Sequence, residues 1–221
     1  MISITDNAIV LSVRKHAETS ALVEILTEQN GVYKGIVRGA FSKNNRGVYQ
    51  PGNVIAAHWS ARIAEHMGAI RAELHTPYAA LIMPHARALA LLSSACSLLA
   101  AALPERHTYP KLYTAMHQLL AHLAHAPESC LEEYIRFELL LLAQAGFGLD
   151  LSRCAATGSS ENLAYISPKS GRAVSRDAGE PYKDRLFEFP PDLSATGYFI
   201  EHWLFEALHR KVPAARKRLD A

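Results

Sequence analysis

Cysteine is scarce in this chain of 221 residues: Cys96, Cys130 and Cys154 are widely spaced and odd in number. That argues against a disulfide framework and fits a reducing compartment such as the cytoplasm. Long apolar runs are missing too. The densest, at 139–143, falls far short of the ~18 residues that span a bilayer, and Met1-Ile2-Ser3-Ile4-Thr5-Asp6 has neither the basic start nor the apolar core of a secretory signal. Nor is there an excess of one charge. A net +2 does not by itself announce a polyanion binder. The distribution is uneven, however: residues 1–77 carry 8 basic and 6 acidic side chains, 78–150 carry 4 and 6, and 151–221 carry 11 and 9. Positive charge gathers at the two ends around an acidic centre.

Catalytic signatures are equally absent: no His-Glu-x-x-His, no Gly-x-Ser-x-Gly, no Walker loop. Gly146-Phe147-Gly148 lacks a third glycine and follows a helical pattern, so it reads as a helix stop. Glu132 and Glu133 are neighbours that point apart on a helix, and Glu138, near Tyr134, reads as a lone surface carboxylate. His122 and His125 sit three apart without a third ligand, and an exposed helix face explains them better than a metal does. Cys130 follows the expected N-cap Ser129, where a helix dipole lowers a thiol pKa; with no histidine base nearby, a structural role is favoured.

What is present comes in two textures. Up to about His75 the pattern is of five short strands, at 8–14, 21–27, 32–39, 54–62 and 69–75, with Ile9, Leu11 and Val13 alternating and Val23 and Ile25 flanking Glu24. Asn30-Gly31 supplies a hairpin turn, and Pro51-Gly52 the centre of a type II turn. Such a segment suits a small closed barrel of the OB type, and an SH3-like barrel would give a similar pattern. From Pro84 the spacing turns helical. Leu89, Leu92, Cys96, Leu99 and Leu103 mark one helix, Leu112, Met116, Leu119, Leu120 and Leu123 a second, and 129–145 a third. Residues 151–195 are irregular, with 163–166 strand-like, and a last helix is expected over 196–211 with Phe199, Ile200, Trp203, Leu204, Ala207 and Leu208 on its apolar face. The fold class is α+β, with domains at 1–77 and 78–221.

The stretch from Gly31 to Gly52 carries the clearest functional signal. Lys34 and Arg38 share one face of a strand, about 13 Å apart. The strand leads into a polar loop, Ser42-Lys43-Asn44-Asn45-Arg46-Gly47, expected to be flexible. A basic face beside a basic loop can track a phosphate backbone without reading bases; an ordinary solvated sheet face has the same composition. Trp59 shares its face with Ile55, Ala57 and Ala61 and is expected to fill the barrel, while Tyr33 can go either way. The tail holds Arg210, Lys211, Arg216, Lys217 and Arg218 within nine positions without an acidic residue. It suits either a solvated helix end or a second nucleic-acid contact.

Several blocks together resemble the RecO family of recombination mediators: Ala8-Ile9-Val10-Leu11, Glu18-Thr19-Ser20-Ala21-Leu22-Val23, Gly35-Ile36-Val37-Arg38-Gly39-Ala40, Gln50-Pro51-Gly52, Leu149-Asp150-Leu151-Ser152-Arg153-Cys154 and Tyr165-Ile166-Ser167-Pro168-Lys169-Ser170-Gly171. The resemblance implies an OB-fold followed by a helical domain, DNA repair without catalysis or cofactor, and binding to single- and double-stranded DNA. It also implies annealing of complementary strands, partnership with RecR and the single-strand-binding protein, and indirect help to RecA. Lys34 and Arg38 match family-like basic positions; Lys43, Arg46, Arg210 and Lys211 join them on charge. Many relatives carry two Cys-x-x-Cys pairs that hold zinc. Here Cys154-Ala155-Ala156-Thr157 and Ser175-Arg176-Asp177-Ala178 stand in their place, one thiolate is too few for a closed site, and no zinc is expected. Two rival readings are an adaptor that takes an acidic, apolar-ended peptide in a leucine-lined helical groove, and a nuclease, for which no carboxylate cluster is visible.

Overall fold

A computed structural model describes residues 2–63 and 67–220. Strands β1 (Ile2–Lys15), β2 (Ser20–Thr27), β3 (Gly31–Arg38), β4 (Val54–Ala61) and β5 (Gly68–Thr76) form a closed barrel in the order β1-β2-β3-β5-β4. β1 pairs with β4 along its first half and with β2 along its second, with a bulge between Val10 and Ser12. This explains why β1 starts earlier than alternation suggests. Its first residues are polar or partly exposed, and pairing with β4 keeps them in the sheet. Ala8, Val23, Ile25, Val37, Ile55, Ala57 and Trp59 fill the interior. Trp59 is 2% exposed, and its Nε1 donates to the Lys34 carbonyl at 2.8 Å. Tyr33 meets it edge-on, with ring centroids 5.0 Å apart.

Thr27 is paired with Gly31, so the β2–β3 connection is the three-residue loop 28–30, and Gly31, which follows it, takes φ +87°. A Cβ there would lie 2.0 Å from the His107 carbonyl oxygen, so only glycine fits. The same compact unit continues past the barrel to Leu131. It includes α1 (Tyr78–Ile82), α2 (Ala86–Ala102) and α3 (Pro110–His125), with a 3₁₀ turn at Pro127–Ser129. α2 lies against β1, its Cys96 thiol 3.8 Å from the Val10 carbonyl. Leu92, Cys96 and Leu99 are buried as their spacing predicts, but Leu89 is exposed. All five marked positions of α3 are buried.

The second compact unit covers residues 132–221. α4 (Cys130–Gln144) starts at the boundary and stops at Gly146, whose φ of +89° allows Gly146 N–H to reach Ala143 and Phe147 N–H to reach Leu142. That is a Schellman ending. Ser129 does not cap this helix; its hydroxyl is 3.0 Å from His122 Nε2. A three-stranded sheet of β6 (Leu163–Ile166), β7 (Ala173–Ser175) and β8 (Phe187–Glu188) follows in the order β7-β6-β8, with the short α5 (Arg176–Gly179) after β7.

α6 (Leu193–Phe199) begins three residues before the expected start, because Asp192 accepts from Ala195 N–H at 2.9 Å and caps it. A π-helical turn, Ile200–Phe205, then interrupts the 3.6-residue period. Phe205 is buried as a result, and Ala207, expected inside, is exposed. The last element is α7 (Ala214–Lys217).

Candidate nucleic-acid interface

β2 occupies one edge of β3 along its whole length, so β5 must take the other. The β3–β5 ladder is parallel and covers only Gly35 with Gly68 and Ile36 with Ala69. Beside it lies a groove of about 600 Å³ lined by Ile36, Arg38, Asn45, Tyr49, Met67 and Arg71, among others. Arg38 ends β3 and Arg71 sits on the outer face of β5; both are exposed and neither forms an ion pair with a described residue. Arg71 was missed in the sequence, where it appears as one charge in an unremarkable strand. Only the strand order brings it to Arg38.

The 42–49 segment is not the flexible loop its composition suggests. Arg46 N–H bonds to Ser42, Val48 and Tyr49 N–H bond to Asn45, and the Asn45 amide donates to the Gly39 carbonyl at 3.0 Å. Asn53, 1% exposed, donates to the Gly47 and Val48 carbonyls and accepts from Ala79 N–H in the first turn of α1. Lys43 and Arg46 are exposed on this fixed turn, with no ion pair among the described residues.

Lys34 has a different environment. It faces Glu24 across the β2–β3 ladder, with Nζ 3.3 Å from Glu24 and 3.1 Å from Glu105. Burial alone would lower its pKa; the hydrogen bond to Glu105 and the charges of both carboxylates outweigh that and raise it. The expectation of a basic strand face is therefore met by Arg38 but offset at Lys34. Glu24, 2% exposed, also takes the Ser12 hydroxyl at 3.1 Å. The pairing follows from the hairpin register: the three-residue loop 28–30 sets position 24 opposite position 34, whereas a two-residue turn at Asn30-Gly31 would have set it opposite Val37.

The C-terminal basic run is not uniform either. Arg210 and Lys211 are exposed. Arg216, however, is buried, and so is Glu138, which is therefore no surface charge. Glu138 accepts from Arg216 Nε at 2.5 Å, from the Thr196 hydroxyl at 2.5 Å and from the Tyr134 hydroxyl at 2.7 Å, while Arg216 also reaches the Leu193 carbonyl and Asp220. Burial penalises its charge, yet Glu138 and Asp220 hold the guanidinium charged above its ordinary value. Lys217 pairs with Glu201 at 2.8 Å.

No group of three or more His, Cys, Asp or Glu among the described residues is placed to hold a metal ion. Cys130 does not have a lowered pKa, because burial pushes its thiol up and Sγ–H donates to the Pro127 carbonyl at 2.8 Å. Cys154 is buried beside Ser175, with Ser175 N–H 3.2 Å and Ser175 Oγ 3.3 Å from Sγ. Burial would raise this thiol, but hydrogen bonds from Ser175 and Thr157 bring it down to about 6. One sulfur among hydroxyls and amides does not fit zinc, which wants about four soft donors.

The family model described as "Recombination protein O N terminal" matches residues 1–78, and "Recombination protein O C terminal" matches 84–200. The chain belongs to the RecO family. It is 46% identical to the DNA repair protein RecO of Rhodospirillum centenum, over 97% of this chain and 92% of that one. RecO of Granulibacter bethesdensis is 40% identical over 97% and 93%, and one RecO from Rhizobium etli 46% over 96% and 88%. In this RecO chain the matched amino-terminal segment coincides with the barrel that carries Arg38 and Arg71. No described helix is long and apolar enough to cross a membrane.

Proposed function

We propose that this chain is a recombination mediator of DNA repair. It holds single and double strands of DNA by phosphate contacts, anneals complementary strands, and with RecR and the single-strand-binding protein helps RecA load in the cytoplasm. RecO proteins are mediators and not catalysts. The observation that carries the reading is Arg38 and Arg71, exposed and without an ion pair among the described residues, across the β3–β5 groove, with Lys43 and Arg46 on a fixed turn beside it. We read the barrel as an OB-fold, whose strand order and short β3–β5 ladder beside a groove suit a tracked strand. Holding two strands on fixed cations lowers their mutual repulsion, so bases can pair. Arg210 and Lys211 are proposed as further contacts; Lys34 serves to orient Glu24 and Glu105.

Strand annealing measured against salt, with and without the single-strand-binding protein, tests the reading. Annealing that shows no salt dependence would overturn it. An adaptor role is supported by a separate surface. Leu81, Met83 and Leu89 are exposed beside His85 and Arg87, a match for an acidic peptide with an apolar end. A fluorescent peptide of that kind should bind with or without DNA, and Met83→Glu should abolish its binding.

A further inference from the structure

Below Gly35 the free edge of β3 is not left open. The chain after α2 returns to it, with Glu105 bridging Val32 in parallel and Arg106 N–H donating to the Val32 carbonyl at 2.9 Å. Between this bridge and the β5 ladder, the Lys34 carbonyl takes the Trp59 indole N–H. The 105–106 segment and β5 thus share one edge, one after the other.

Arg106 is held there in an unusual state. Its φ is +61°, a left-handed value that non-glycine residues rarely adopt. The exposed guanidinium lies 5.4 Å from the Trp59 ring and 5.8 Å from the Tyr33 ring, and it forms no ion pair with a described residue. Strain at an exposed residue persists only where the surroundings over-determine it, and here the bridge and the aromatic pair do so. The adjoining Glu105 pairs with Lys34 and not with this guanidinium.

We infer that Arg106 is a phosphate-contacting residue, and that a single strand of nucleic acid runs along the β3 seam from Arg106 to the Arg38–Arg71 groove. The inference rests on the DNA-binding reading and deepens it by fixing a path. That path, from Val32 to Arg38, covers about 20 Å of strand. Tyr33, half-buried under Arg106, offers a ring beside the phosphate contact on which a base can stack.

The test is equilibrium binding of an oligothymidylate of about 16 nucleotides across a salt series. Arg106→Ala should flatten the log–log slope by about 0.7 and Arg106→Lys should keep it, because the contact is one of charge. The thermal unfolding midpoint reports whether the barrel stays intact, and Arg106→Gln, which keeps the planar cover over the rings, repeats the measurement should the alanine variant loosen it. If neutral variants at 106 keep the wild-type slope while Arg38→Ala/Arg71→Ala loses its own, the path is wrong and the groove stands. If the groove variant also keeps the wild-type slope, the DNA reading of the barrel falls with it.

Discussion

Two cationic regions of this chain look alike as sequence and differ once folded. Around the groove, Arg38, Arg71, Lys43 and Arg46 are exposed without ion-pair partners among the described residues. In the carboxyl-terminal run, Arg216 is buried on Glu138 and Asp220, and Lys217 is engaged by Glu201. Lys34 repeats the second condition inside the first region, four residues from Arg38 on the same strand face. A count of basic residues therefore overstates the charge available to a polyanion. What decides it is where the fold delivers the carboxylates, and Glu24, Glu105, Glu138 and Glu201 are all distant in sequence from the cations they hold.

The largest way to break the comparison is at the buried pair. Arg216→Ala strips the buried Glu138, whose pKa burial already raises, of its counter-charge, and should cost about 3–5 kcal/mol in urea unfolding. A loss under 1 kcal/mol would show that the cation was never committed to the fold. Next is the groove. Arg38→Ala/Arg71→Ala should lower the salt slope of single-strand binding by about 1.4, at about 0.7 per phosphate contact, with little change in melting temperature. Lys34→Ala sharpens the contrast, since its charge is already offset by two carboxylates; its slope should stay at the wild-type value, and a drop as large as that for Arg38→Ala would erase the distinction drawn here. The smallest effect is expected for Lys217→Ala, whose pair with Glu201 is half exposed and should be worth about 0–1 kcal/mol.

Cys154 supplies a pH dependence in the second unit. Its thiol is lowered to about 6 in the fold against about 8.5 when unfolded. The stability it contributes is therefore fully present above the unfolded value and is lost as pH falls through about 6. Unfolding midpoints measured between pH 8.5 and 5.5 should drop more steeply for the wild type than for Cys154→Ala, and equal slopes would refute a thiolate.

Local signals were legible in proportion to how local their causes were. Strands β2 to β5, the turn glycines, Trp59 as barrel filler and the stop at Gly146 each depend on a few neighbouring residues, and each is found within a residue of where the sequence puts it, whereas β1 starts six residues early. The shift of the last apolar face was not legible, because a π-turn at 200–205 breaks the very period used to assign it. Leu89 follows the helical spacing yet faces out, since spacing gives a stripe but not its edges. At the candidate site, Arg38 was readable from strand alternation. Arg71 and Arg106 were not, because the closure of β5 and the returning 105–106 segment onto one edge of β3 is a matter of topology.

The amide of Asn53 joins the 42–49 turn to the first turn of α1 through one buried side chain. A floppy basic loop would have to surrender conformational freedom each time it met a strand, at about 1–2 kcal/mol for every residue whose backbone is brought to rest. Here much of the backbone share of that entropy is already lost during folding, so Lys43 and Arg46 wait on a preorganised platform, and Asn53→Ala should slow capture of DNA without removing a single positive charge.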